Sequence, residues 1–458
     1  MLKINLDDTI AAVSTCVGNG GIGIVRISGS DALKIADKMF VSPKGKILSQ
    51  QKSHTITFGH IVWDNKTIDE VLVSVMKAPN TYTRENVVEI NTHGGYRAVT
   101  SVLNTAIKAG ARMAEPGEFT KRAFLNGRID LTQAEAVIDI INAKTDTAKD
   151  AAVKRLEGRL SKDIRALREE ILTMLANIEA AIAYPEHDDE TMTYNTISDG
   201  THRVLAEVER LIESADTGKI YKEGIKTVIL GRPNVGKSSL LNSLLEEDRA
   251  IVTDIPGTTR DTLEEMINVG GIPLNIIDTA GVRKTDNVIE QIGVEKSKAL
   301  AEQADLILLM FDGSRELSDE DKELIELVKG KKVITLVNKL DLENRLDTSQ
   351  LNGLEPIGIS VKNDDGINKI FEKIKAMFMT GNININSDTV ISGERNKASL
   401  INAKTYLENV LETVENRMPE DFISMDLTEA YQALGEITGE TLEEDIIDKI
   451  FSEFCLGK

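Results

Sequence analysis

"GRPNVGKSS" (231–239) lies between "IKTVIL" (225–230), an apolar run of strand character, and "LLNSLL" (240–245), an apolar run of helical character. In that setting GxxxxGK[ST] reads as a phosphate cradle. Its glycines let backbone N–H groups converge on a β-phosphate. Lys237 reaches the β- and γ-phosphates, and the Ser238 hydroxyl ligates Mg²⁺. The plain alternative is a glycine-rich turn with an incidental lysine, but both flanking elements are those a phosphate loop requires. Asn234, Val235, Gly236, Lys237, Ser238 and Ser239 are the residues of this cradle.

Four further motifs follow in order. "TDIPGTTRD" (253–261) carries Thr259 as a second metal ligand, with Thr253, Asp254, Ile255, Pro256, Gly257 and Thr258 beside the phosphates. "DTAG" (278–281) follows the strand-like "PLNII". It turns Asp278 towards Mg²⁺ and the Gly281 N–H towards the γ-phosphate, with Thr279 and Ala280 between. "NKLD" (338–341) follows "KKVITLV". There Asp341 can accept guanine N1–H and the exocyclic amine, Asn338 can contact the opposite edge, and Lys339 can pack over the ring. "ISVK" (359–362) closes another short strand, so the backbone of Ser360, Val361 and Lys362 can meet the guanine oxygen. Five motifs in this order point to a GTPase of the translation-factor-related class. The alternation of strand and helix around them predicts a Ras-like domain with a doubly wound, mostly parallel sheet.

One position departs from Ras-like switches, which place a water-orienting glutamine after the DxxG glycine. Here it is Val282, which orients nothing by hydrogen bonding. Asn234 offers a carboxamide oxygen to a monovalent cation, and Thr253, Ile255 and Thr258 can complete a K⁺ cage. Glu290, in "VRKTDNVIEQIG", is the candidate for the water. The catalytic set is then Glu290, Lys237 and Asn234. Two plainer readings stand beside it: Asn234 as a loop cap, and Glu290 as a solvated helix-start residue.

The 458 residues suffice for two to four domains. No apolar run reaches membrane-spanning length, and the start lacks the basic-then-apolar pattern of a secretory signal. Cys16 and Cys455 make no metal or disulfide spacing, so a cytoplasmic chain with reduced thiols is expected. The net charge of −20 argues against a chain-wide nucleic-acid surface. Residues 1–128 hold 16 Lys/Arg and 11 Asp/Glu, a net of +5, which leaves −25 for the rest. An anionic ligand or RNA docking locally would suit that split; so would chance asymmetry. Four regions emerge: 1–119 of mixed strands and helix, 120–221 helical, 222–380 alternating, and 381–458 helical again after "GNININSD" (381–388). The alternating region reads as an insertion in a helical one.

"GIGIVRISG" (21–29), "HGG" (93–95), "PGEFTKRAFLNGRIDLTQAEAVIDII" (116–141) and the terminal "FCLGK" (454–458) add to the GTPase motifs. Together they make the chain similar, along its length, to the MnmE (TrmE) family of bacterial tRNA-modification GTPases. The resemblance implies an N-terminal α+β domain that binds a tetrahydrofolate derivative (5-formyl or 5,10-methylene) and dimerises. It implies a helical domain interrupted by the GTPase domain, and it agrees with a K⁺ site at Asn234 and a switch glutamate at Glu290. The folate site it implies comprises Arg26, Glu89, Arg128, where the family carries a basic residue, and Lys458. Read without it, Arg26 and Glu89 are strand-surface charges. Cys455 is either a nucleophile or a small apolar residue on a terminal helix. The implied activity is GTP-coupled addition of an aminomethyl or carboxymethylaminomethyl group at C5 of the wobble uridine of certain tRNAs. It implies a homodimer working with the FAD-dependent subunit GidA (MnmG) in a heterotetramer. A ribosome-assembly GTPase without covalent RNA chemistry is the competing class; a second GTPase cassette or GxxG RNA module would mark it, and neither is found.

Overall fold

The computed structural model describes residues 8–16, 18, 20–183, 190–247, 265–277, 293–351, 353–378, 391 and 393–457. The chain divides into two compact units, one of Met1–Ile141, Arg155–Val204 and Thr405–Lys458, the other of Asn142–Lys154 and Leu205–Lys404.

The first unit contains β1 (Ile10–Val13), β2 (Ile22–Ser28), β3 (Phe40–Val41), β4 (Thr55–Trp63), β5 (Lys66–Met76), β6 (Val87–His93) and β7 (Arg112–Met113). They form one sheet in the order β3-β4-β5-β6-β2-β1-β7, antiparallel except for the β1–β7 pair. β4 and β5 join through Asp64–Asn65, both at positive φ (51° and 60°), the conformation a tight two-residue hairpin demands. Helices α1 (Ala32–Met39) and α2 (Tyr96–Ala109) pack on one face, where Val25, Ile27, Val73, Val75, Val88 and Ile90 are buried. The two-residue period of a strand therefore turns Arg26 and Glu89 to the other face, and the β2–β6 register sets them opposite each other.

Beyond β7 come α3 (Glu118–Leu125), α4 (Leu131–Asn142), α5 (Asp146–Leu156), α6 (Arg159–Ala183) and α7 (Glu190–Glu223). α3 is tied to the sheet by charge. Arg122, fully buried, donates to Glu85 (3.0 Å), to Glu118 (3.0 Å) and to both the backbone and carboxylate oxygens of Asp8. Arg112 joins the same carboxylates at 2.6 Å to Asp8 and 2.6 Å to Glu118. Burial opposes charge on Asp8 and Glu118, but the two arginines outweigh it and hold both carboxyls below the usual range. Groups with depressed folded pKa values contribute stability above the unfolded value, near pH 4, and lose it as pH falls through the folded one. Arg122→Met should therefore cost about 3–5 kcal/mol at pH 7, because Glu85 loses its arginine and Asp8 and Glu118 keep only Arg112. Urea midpoints should show the gap to the parent shrinking below about pH 4. An equal gap at pH 7 and pH 3 would place the effect outside this cluster.

The second unit carries β8 (Ile225–Leu230), β9 (Glu265–Val269), β10 (Ile272–Ile276), β11 (Leu306–Asp312), β12 (Val333–Asn338) and β13 (Pro356–Gly358). Its sheet runs β13-β12-β11-β8-β10-β9, parallel except for the β9–β10 hairpin. β11 is apolar on both faces: Leu306, Leu308 and Met310 enter one core, Ile307, Leu309 and Phe311 another. Such continuous apolar runs are what a parallel strand covered by helices on both sides requires. The covering helices include α8 (Lys237–Glu247), α9 (Gly293–Gln303), α10 (Asp319–Leu327) and α11 (Ile367–Phe378). β8 lies between β10 and β11, so the chain leaves it to one side and crosses to the other, and the 231–236 loop opens at the topological switch point, where α/β sheets bind ligands.

The remaining helices are α12 (Glu394–Glu415), α13 (Glu420–Thr438) and α14 (Glu444–Ser452). In the first unit Arg168 of α6 stacks on Tyr431 of α13 at 4.1 Å and pairs with Glu440. Residues 381–388 lie outside the described residues. Among the described residues no helix is long and apolar enough to cross a membrane.

Candidate functional site

At the end of β8 the chain turns through Gly231, where a Cβ would come within 2.6 Å of the Met310 carbonyl. Gly236, at φ 108°, lies so close to Asn338 that a Cβ would meet its amide nitrogen at 2.3 Å. Both glycines of the motif are thus fixed by neighbouring strands. α8 starts at Lys237, with Ser238 half-buried and Ser239 exposed in its first turn, so its N–H groups face the loop. The Lys237 ammonium donates to the carbonyls of Gly231 (2.7 Å) and Arg232 (2.8 Å), and burial lowers its pKa.

Asn338 ends β12 and bridges two loops. Its amide nitrogen donates to the Val235 carbonyl (2.8 Å), and its oxygen accepts the Val361 N–H (3.1 Å). The residue read as an edge contact for the base is thereby also the tie between phosphate loop and 359–362. That tie explains why β13 stops at Gly358. Ser360 pairs with Asp365 instead of extending the sheet, and Val361–Asn363 closes into a 3₁₀ turn. Asp341 accepts from the Ser360 hydroxyl (3.0 Å), with Lys362 at 4.0 Å, and these two contacts orient its carboxylate. Lys339, at φ 68°, donates to the Asn234 carbonyl (2.9 Å) and to Asp312 (2.7 Å). Asn234 is exposed at φ 63°, and its backbone carbonyl is engaged by Lys339. Thr253, Asp254, Ile255, Pro256, Gly257, Thr258, Thr259, Asp278, Thr279, Ala280, Gly281, Val282 and Glu290 lie outside the described residues.

The second candidate site is in the first unit. Arg26 donates to Glu89 at 2.8 Å and reaches the Gly457 carbonyl at 3.5 Å. Arg26 therefore holds Glu89 and the C-terminal tail together. Its guanidinium lies 5.7 Å from the Tyr82 ring centre and 5.6 Å from Phe119, and Arg128 stacks on the same Tyr82 at 4.7 Å. Ser14 donates to the Gly457 carbonyl at 3.1 Å, and a Cβ on Gly457 would strike the Val13 carbonyl at 2.0 Å. The tail is anchored upstream by Phe451 and Phe454, buried against Ala123, Ile129 and Leu131. Cys455 is exposed, its carbonyl accepting the Gly117 N–H at 3.2 Å; Lys458 lies outside the described residues. Arg26 and Arg128 thus meet at Tyr82, and Arg26 brings Glu89 and the tail to the same place.

Two participants escaped the sequence reading. Tyr82 gives no periodic or motif signal. Asp312 had one: a carboxylate ending the buried run "LILLMFD", at the edge of a parallel sheet where ligands bind.

Two family models match the chain, the MnmE helical domain over residues 131–455 and the GTP-binding protein TrmE N-terminus over residues 9–128. Among curated proteins, the tRNA modification GTPase MnmE of Bacillus subtilis is 52% identical, covering 98% of this chain and 100% of its own length. The protein of the same name from Clostridioides difficile is 50% identical, covering 99% of this chain and 100% of its own. That of Alkaliphilus oremlandii is 49% identical over the same shares. Among solved structures, the FeoB G domain from Methanococcus jannaschii aligns with 34% of this chain and 98% of its own at 23% identity. Its TM-score of 0.25 is too low to carry weight.

Proposed function

The chain belongs to the MnmE family of tRNA modification GTPases, and from that premise we propose that it is a K⁺-activated GTPase that uses a tetrahydrofolate one-carbon unit at C5 of the wobble uridine of certain tRNAs. It would act in the cytoplasm as a homodimer, with the FAD-dependent subunit GidA (MnmG), adding an aminomethyl or carboxymethylaminomethyl group. Residues 1–119 bind the folate and dimerise, 222–380 hydrolyse GTP, and 120–221 with 381–458 form the helical part.

The observation that carries this reading is that Arg26 gathers Glu89 and the C-terminal tail and shares the Tyr82 ring with Arg128. A carboxylate fits the adjacent N–H donors of a pterin, and Glu89 is preset for them by Arg26. When bound, the folate supplies the one-carbon unit. Arg128 and Lys458 bind its polar and anionic parts, and Phe451 and Phe454 fix the tail that carries Lys458.

In the nucleotide site the donor set fits the ions as well. Ser238 and Thr259 offer hydroxyls to Mg²⁺, which when bound screens the phosphates. Asn234, Thr253, Ile255 and Thr258 offer oxygens to K⁺, which when bound offsets charge between the β- and γ-phosphates. Asp341 reads the base, Lys237 holds the phosphate oxygens, and Glu290 orients the water that Val282 cannot.

Glu89→Ala tests the folate assignment. Losing a charge-assisted pair should weaken tetrahydrofolate binding roughly tenfold to a hundredfold, that is by about 1.5–3 kcal/mol. GTP affinity should stay unchanged. Equilibrium titration of both ligands decides the matter, and undiminished folate affinity would defeat the assignment.

A further inference from the structure

From the geometry at the carboxyl end of β11 we infer that Asp312 is a positioning residue of the nucleotide site, holding Lys339 so that one ammonium fixes both the guanine clamp and the phosphate loop. Asp312 ends its strand directly opposite Asn338 in the β11–β12 register. One of its oxygens is occupied by the N–H (3.0 Å) and hydroxyl (2.7 Å) of Ser314, which sets the rotamer. The other faces Lys339 at 2.7 Å. The Lys339 ammonium continues to the Asn234 carbonyl at 2.9 Å, so carboxylate, ammonium and loop carbonyl form a chain.

That chain spans two residues in left-handed backbone. Asn234 and Lys339 have φ of 63° and 68°, a region that asparagine tolerates but that lysine rarely enters unless its surroundings hold it there. The carbonyl of the first and the side chain of the second meet at the ammonium that Asp312 balances. Arg315 is the other cation near this carboxylate, at 3.8 Å and largely exposed, so it does not replace Lys339. Burial alone would favour the neutral acid. The hydrogen bonds from Lys339 and Ser314 reverse that and keep Asp312 ionised. Both oxygens of Asp312 are engaged, by Lys339 and Ser314, so it acts through Lys339.

The inference rests on the reading of 338–341 as the guanine clamp, and a double-mutant cycle separates the two. The probe is methylanthraniloyl-GDP, titrated into the full chain as parent, Asp312→Asn, Lys339→Met and the double variant. Each single change should raise the dissociation constant about tenfold, and the double should be no weaker than Lys339→Met alone, because the carboxylate acts through the lysine. Preference for GDP over xanthosine diphosphate should persist in Asp312→Asn, since Asp341 is untouched; collapse of the base pocket would abolish it. Asp312→Glu keeps the charge and should recover part of the affinity, which also covers a poorly folding Asn variant. If Lys339→Met leaves affinity unchanged, the clamp reading fails and the inference with it. If Lys339→Met weakens binding while Asp312→Asn does not, or if the two effects multiply, the positioning role of Asp312 is overturned and the clamp stands.

Discussion

GTP turnover should run on the order of 10³-fold faster in KCl than in NaCl at matched ionic strength, the lower end of what an arginine finger contributes. Val282 leaves no side chain to orient water after the DxxG glycine, and charge between the β- and γ-phosphates must be offset from within the chain. Asn234 is the described member of the proposed cage. Its backbone carbonyl is held by Lys339, and in the proposed mechanism its carboxamide is the cation ligand. Asn234→Ala should abolish the K⁺ advantage with nucleotide affinity retained. Alanine at φ 63° adds backbone strain of about 1–2 kcal/mol, so Asn234→Gly is the companion variant that loses the carboxamide without that strain. In the proposed mechanism K⁺ also promotes pairing of the two GTPase domains of the homodimer, and Glu290→Ala should lose hydrolysis while keeping that pairing. Steady-state turnover in the two salts is the measurement, and equal rates for the parent would remove the cation from the mechanism.

Lys237→Ala should lower kcat by roughly 10²–10³, the usual cost of removing one preorganised donor from a developing charge. Ser238→Ala should fall by a comparable factor through loss of its Mg²⁺ ligand. Truncating Lys237 also leaves the Gly231 and Arg232 carbonyls without their donor, a local cost of about 1 kcal/mol. That is too little to unfold the unit, and thermal melting of the variant checks it. Burial already lowers the Lys237 pKa, so the ammonium is held where water solvates it poorly and a phosphate would be its best partner. Retained single-turnover hydrolysis in both variants would take the 231–239 loop out of the reaction.

Much of the nucleotide-binding unit was legible because its signals are local. A phosphate loop needs φ values that glycine supplies, a strand before it and a helix after it. All three are written within about twenty residues, and β8 and α8 appear where "IKTVIL" and "LLNSLL" place them. The buried strands likewise announce themselves as continuous apolar runs. The partnership of Arg26 with Glu89 was not legible. It depends on β2 and β6 pairing antiparallel across 63 residues of separation, and a one-residue slip would turn either side chain into the core. The docking of the tail was further out of reach, since Gly457 lies against Val13 and Ser14 more than 440 residues away. Nor did any pattern foretell that Asn338 would join Val235 to Val361, or that Asp312 would steady Lys339. Residue types determined which chemistry this chain carries, because glycine, lysine and carboxylate each bring a fixed repertoire. Tertiary structure alone decided which of them meet: hydrogen bonds and ion pairs reach only about 3 Å, and long-range strand pairing and packing bring groups that close.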